Sequence, residues 1–256
     1  MLKTFKYLLL TLIPVISLMG QDSTRAIEFG YLDSLRGVYT LDKEPYTGPV
    51  FKKLGIGLMT GNYKDGIKSG LWQTLNTIGE PIMIGHFKDG EKHGDFEQWY
   101  DDGEKRHREL TGKFYENKYV GDYREWYDNE NKSIVGFYID GKEEGLYREW
   151  YENGKKALKA RYRQGNPDGW YKEWYDNGKK ALKIKFEDGK INGKWTQWYR
   201  NGNKELRIQY INGIPRGRAK FWFEDGTIRG EGIVKSEVVG GGWIIEDTGG
   251  GKRVFK

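Results

Sequence analysis

Glycine recurs at a fixed interval along most of this 256-residue chain, and that interval restricts the folds open to it. The segments that begin at Gly94 (GDFEQWYDDG), Gly121 (GDYREWYDNE), Gly145 (GLYREWYENG), Gly169 (GWYKEWYDNG), Gly193 (GKWTQWYRNG) and Gly217 (GRAKFWFEDG) align without gaps. Their glycines lie 27, 24, 24, 24 and 24 residues apart, with degenerate units 24 residues earlier at Gly70 and again near Gly48. An aromatic residue stands seven positions before each starting glycine, at Tyr63, Phe87, Phe114, Tyr138, Tyr162, Phe186 and Tyr210. Three positions after that aromatic comes Gly66, Gly90, Gly141, Gly165, Gly189 or Gly213, with Asn117 in one unit. Asn is the residue after Gly that best tolerates positive φ. A period held this long marks a repeat architecture in which each unit buries its face only against its neighbours.

Each unit reads as two short strands. In the unit at Gly145, LYREWY is the first strand, Asn153-Gly154 the turn and ALKARY the second strand. Asn-Gly and Asp-Gly pairs at this place predict two-residue type I′ turns, in which both central residues take positive φ. The extra three residues between Gly94 and Gly121 fall around EKRHRELTG and predict a longer turn or a bulge. Alternation places Tyr147, Glu149 and Tyr151 on one face and Leu146, Arg148 and Trp150 on the other. Leu158, Ala160 and Tyr162 of the second strand join one of these stripes, and the sequence leaves open which. The expected fold is all-β: an elongated single antiparallel sheet of stacked β-hairpin repeats of about 24 residues each.

Stacking produces two aromatic ladders. Trp99, Trp126, Trp150, Trp174, Trp198 and Trp222 form the candidate binding ladder, and Tyr100, Tyr127, Tyr151, Tyr175, Tyr199 and Phe223 the alternative one. With strands ~4.8 Å apart, each ladder repeats about every 10 Å, a spacing suited to an extended ligand. Composition agrees with a shallow sheet built on rings and turns: 15% of residues are aromatic and 37 are Gly. Absence of Cys excludes a disulfide framework, a thiol nucleophile and an anchor through a lipidated N-terminal cysteine.

The WYxNG…Y..G...G units resemble the MORN-repeat variant of bacterial proteins, related to the membrane occupation and recognition nexus repeats of eukaryotes. PYTGPV at residues 45–50 looks like an opening that such proteins often carry. The resemblance covers roughly residues 37–236. It implies the hairpin-repeat fold and a scaffold, dimerisation or membrane-associated role. Some bacterial members carry an antitoxin label, which implies a neighbouring toxin as partner.

Residues 1–20 have the pattern of a secretory signal peptide: Lys3 and Lys6, an apolar stretch from Tyr7 to Met19, and Gly20 before a polar QDSTR. The expected organisation is a signal peptide at 1–20, an N-terminal segment and cap at 21–47, repeats at 48–236 and a capping hairpin at 237–256. Export to the periplasm, cell surface or medium follows, and a cytoplasmic antitoxin has no use for such a leader.

Net charge is +6, and removal of the leader takes away two lysines and no acid. Acids and bases are mixed through the rest, which reads as a solvated surface. His86, His93 and His107 have no recurring acidic partner and read as solvated residues, not a metal site or catalytic base. Glycines near Gly250 lack P-loop spacing, and Arg253 stands where Ser or Thr is needed. Glu125, Glu149 and Glu173, with Gln98 and Gln197, repeat at one position and read as cross-strand polar pairs beside Lys or Arg. An active site is normally unique, so the expectation is a protein without enzymatic activity, cofactor or metal. A protein partner leads the expected ligands, a membrane surface or glycan follows, and nucleic acid is disfavoured.

Overall fold

The computed structural model describes residues 25–35, 37–103, 105–237, 243–247 and 250–255. The leader read at 1–20 lies outside the described residues. One sheet of 23 strands dominates, and no α-helix occurs among the described residues. From Gly48–Leu54 onward, successive long strands pair antiparallel in chain order, so the sheet grows one hairpin at a time. At its N-terminal edge Ile27–Glu28 pairs parallel with Val50–Phe51. A second sheet of three strands, Asp33–Leu35, Val38–Leu41 and Glu44–Pro45, docks there, where Tyr39 N–H donates to the Gly66 carbonyl at 2.8 Å. Phe29 and Tyr39 pack on the buried Tyr46, Val50, Tyr63 and Trp72. At the other end Ile228–Glu237, Trp243–Glu246 and Lys252–Phe255 complete the ladder.

The unit at Gly145 shows how the repeat is built. Gly145–Trp150 pairs with Lys156–Arg163, with Tyr147 opposite Ala160 and Glu149 opposite Leu158. The aliphatic stripe of the second strand therefore joins the Tyr147–Glu149 stripe, which settles the choice the sequence left open. This face is the sealed one: Leu158, Ala160, Ile184, Leu206, Ile208 and Phe221 are all buried on it. Rings close it by lying over small neighbours. A Cβ added at Gly136 would stand 2.7 Å from Tyr147 Cδ2, and one at Gly85 would stand 2.6 Å from Phe96 Cδ2. Edge-on ring pairs continue the cover, as between Tyr147 and Tyr162, with centroids 5.7 Å apart.

The turn assignment needs correction. Gly154 has φ 76°, yet Asn153 is absent from the residues with positive φ. Gly154 N–H donates to the Tyr151 carbonyl and Tyr151 N–H to the Lys155 carbonyl, both at 2.8 Å. These bonds define a three-residue loop, a type I turn followed by a left-handed glycine, rather than a type I′ turn. Asn153 earns its place otherwise: its Oδ1 accepts from Lys155 N–H at 3.0 Å. Both-positive turns sit at the other connection, at Gln164-Gly165 (φ 51° and 79°), Asp140-Gly141 and Asp188-Gly189. Each unit's starting glycine is a bulge glycine with positive φ, 100° at Gly169.

The three extra residues lengthen one hairpin. Glu91–Asp101 and Arg106–Tyr115 are strands of 11 and 10 residues, with a register shift between Arg108 and Leu110. The extra residues are taken up neither as a longer turn nor as an added bulge: they extend the strands by the pairs Tyr100–His107 and Asp101–Arg106, and the same register shift recurs in the other units. The acidic ladder differs from expectation: Glu125, Glu149 and Glu173 lie on the sealed face among aliphatic neighbours, not beside Lys or Arg. Tyr171 donates to Glu173 Oε1 at 2.9 Å, and Tyr123 likewise to Glu125.

Candidate binding face

The two aromatic ladders do different work because of where the first strand ends. Tyr127, Tyr151, Tyr175 and Tyr199 sit in the three-residue loops, and each reaches across to the next unit. Their hydroxyls donate to the backbone carbonyls of Trp150, Trp174, Trp198 and Trp222 at 2.8, 2.7, 2.6 and 2.9 Å. Beside them Asn129, Asn153, Asn177 and Asn201 donate from Nδ2 to the carbonyls of Glu152, Asp176, Arg200 and Glu224. The tyrosine row is a line of staples joining each loop to the next. Burial raises the pKa of these hydroxyls, with nearby carboxylates adding to the shift. Tyr100, offset by the longer unit, instead faces the ring of His107 with centroids 5.3 Å apart. Phe223, which has no hydroxyl to reach the next hairpin, is 50% exposed.

The tryptophan row occupies the opposite, open face. Trp99, Trp126, Trp150, Trp174, Trp198 and Trp222 are all half-buried. Among the described residues none accepts a hydrogen bond from the indole N–H of any of the six. Cations lie over several rings: Arg106 stands 4.9 Å from the Trp99 ring centroid, Lys180 5.8 Å from Trp198 and Lys220 5.7 Å from Trp222. A shallow pocket around Trp174 is lined by Lys172, Lys180, Leu182 and Lys183.

The open face also carries residues that the sequence reading passed over. Trp170, Leu146 and Phe137 lie on it and are exposed, Trp170 to 45%. Lys183 Nζ stands 4.1 Å from the Trp170 ring centroid and Lys172 Nζ 5.8 Å. Cross-strand register makes Arg148, Lys159, Lys172 and Lys183 direct neighbours on four consecutive strands. The signal was present in the strand alternation, but mixed charge along the chain concealed its segregation by face.

The histidines are scattered. His86 and His107 lie within strands, and His93 packs its ring 4.9 Å from that of Tyr115. Among the described residues no group of three His, Asp or Glu side chains is placed to hold a metal ion.

A family model described as the MORN repeat variant matches residues 143–164 and 191–212. Each match runs from the short bridge before a starting glycine through both strands of the following hairpin. No curated protein matches the chain. The matches identify MORN-variant repeats at these two places, within a chain whose hairpin geometry repeats from unit to unit.

Proposed function

We propose that the chain is an exported, non-enzymatic binding scaffold of the cell envelope, and that it captures its partner on the tryptophan-bearing face. The carrying observation is the asymmetry between ladders. Tyrosine hydroxyls are engaged within the fold, whereas the tryptophan row keeps half-exposed rings and unengaged indole donors on an open surface. MORN repeats generally mediate protein or membrane interactions, which supports a binding role. Recurrence of the same residues in every unit favours an extended contact over a single reaction centre. Export rests on the leader pattern of residues 1–20 and predicts a mature N-terminus at Gln21, which N-terminal sequencing reads directly.

The test compares folded variants of the immobilised protein in envelope extract. A partner protein retained by the parent is expected to be lost by W150A/W174A and kept by Y151F/Y175F, with circular dichroism verifying the fold of each. Retention by a folded W150A/W174A protein excludes the tryptophan face. A second reading, a glycan or lipid in place of a protein, is favoured by one further observation: the cations of the open face.

A further inference from the structure

Resting on the open face as the working surface, we infer that residues 146–220 hold a linear anionic glycan, with its charged groups on a row of Lys and Arg and its sugar rings on tryptophan. The row is set by register. Arg148 faces Lys159, Lys159 faces Lys172 and Lys172 faces Lys183. Thr196 interrupts it for one strand, after which Arg207 faces Lys220. Like charges directly opposite in a sheet are destabilising, so folding alone gives no reason to align them. A bound polyanion removes that repulsion.

Charge pairing distinguishes this row from the two units just before it. In the two units just before it, several cations have acids beside them: Arg108 pairs with Glu97 at 3.4 Å, Lys113 with Asp95 at 3.8 Å and Arg124 with Asp122 at 2.9 Å. At the far end Lys220 pairs with Glu231 at 2.8 Å. Between these ends, none of the ion pairs among the described residues involves Arg148, Lys159, Lys172, Lys183 or Arg207. Arg148, Lys159, Lys172 and Lys183 are thus neighbouring cations on successive long strands with no ion pair among the described residues.

Shape and chemistry choose among polyanions. Neighbouring strands rotate by roughly 20–25°, so the row from Arg148 to Lys220 turns through more than about 100°. A planar membrane meets only part of such a row, whereas a flexible chain follows it. Trp150, Trp174 and Trp198 flank the row on its own face, and Trp170 lies between Lys172 and Lys183. Flat indoles beside ammonium groups suit a sugar ring, which offers an apolar C–H face next to its anionic substituent. Indole N–H groups supply donors for its hydroxyls.

The test measures heparin binding by the intact protein across a salt series, with anionic phospholipid vesicles as the comparison surface. Heparin is expected to bind, with affinity falling as salt rises. K159Q/K172Q/K183Q, all solvent-accessible positions, is expected to weaken binding by at least about tenfold and to lower the slope of log affinity against log salt by about 2. K53Q/K64Q/K88Q removes the same charge from the early units and is expected to change neither by much. Trp170→Ala is expected to weaken heparin binding while leaving inorganic polyphosphate binding unchanged. Equal losses in the two lysine triples, tighter binding to vesicles than to heparin, or no heparin binding at low salt each overturn the inference. An unaffected Trp170→Ala overturns the glycan assignment. If partner capture is lost in W150A/W174A but survives K159Q/K172Q/K183Q, the open face stands and the glycan does not.

Discussion

Glu130 shows how strictly the hairpin loop selects its residues. It occupies the position held by Gly154, Gly178, Gly202 and Gly226 in other units, and it keeps their left-handed backbone with φ 66°. A side chain there costs about 1 kcal/mol or more, so Glu130→Gly is expected to raise stability by about 1 kcal/mol. A urea midpoint that moves up with unchanged m-value checks this, and an unmoved midpoint contradicts it. The opposite demand operates at Gly136, where an added Cβ would press on the Tyr147 ring at 2.7 Å. Gly136→Ala is expected to destabilise by roughly 1–3 kcal/mol, read in the same unfolding experiment. Tyr151→Phe removes one staple to the Trp174 carbonyl and is expected to lower stability by about 1 kcal/mol.

At the scale of the hairpin, glycine spacing was legible because glycine is required at defined backbone positions. Most units place it at the left-handed loop position, at the two-residue turn and at the bulge that opens the next strand. Turn types were not legible. Asn153-Gly154 has the composition of a type I′ turn, yet Asn153 is held with its side chain to Lys155 N–H and to the Asp176 carbonyl of the next loop. The preference of Asn-Gly for type I′ geometry yields here to tertiary hydrogen bonds. The sealed faces of the hairpins also set a pH limit. Burial, helped by Glu143, raises the Tyr138 hydroxyl from 10.0 to about 12, and burial raises Tyr147 and Tyr162 as well. In the unfolded chain these groups ionise near pH 10, while in the fold they hold their protons to higher pH. Stability is therefore full below pH 10 and falls as pH rises through the window of about 10 to 12. Thermal melts across this range are expected to show a melting temperature that falls as pH rises. A melting temperature unchanged between about pH 10 and 12 contradicts the burial of these rings.

For the whole molecule, a sheet with one sealed and one open face follows from which stripe of the first strand meets the aliphatic stripe of the second. Sequence alternation gave the two stripes but could not choose between them, because both carry large aromatics. Ile208 and Phe221 on the sealed side and Trp170 on the open side make the choice plain. The cation row was hidden for a similar reason: Arg148, Lys159, Lys172 and Lys183 lie 11 to 13 residues apart in sequence and become neighbours only through register. Working surface and core are thus opposite faces of one layer. Hydroxyl-radical footprinting of the folded protein tests this most directly, with labelling read residue by residue. Trp170, Phe137 and Leu146 are expected to label rapidly, and Tyr123, Leu158, Ile208 and Phe221 slowly. Equal labelling of the two sets, or the reverse order, contradicts it.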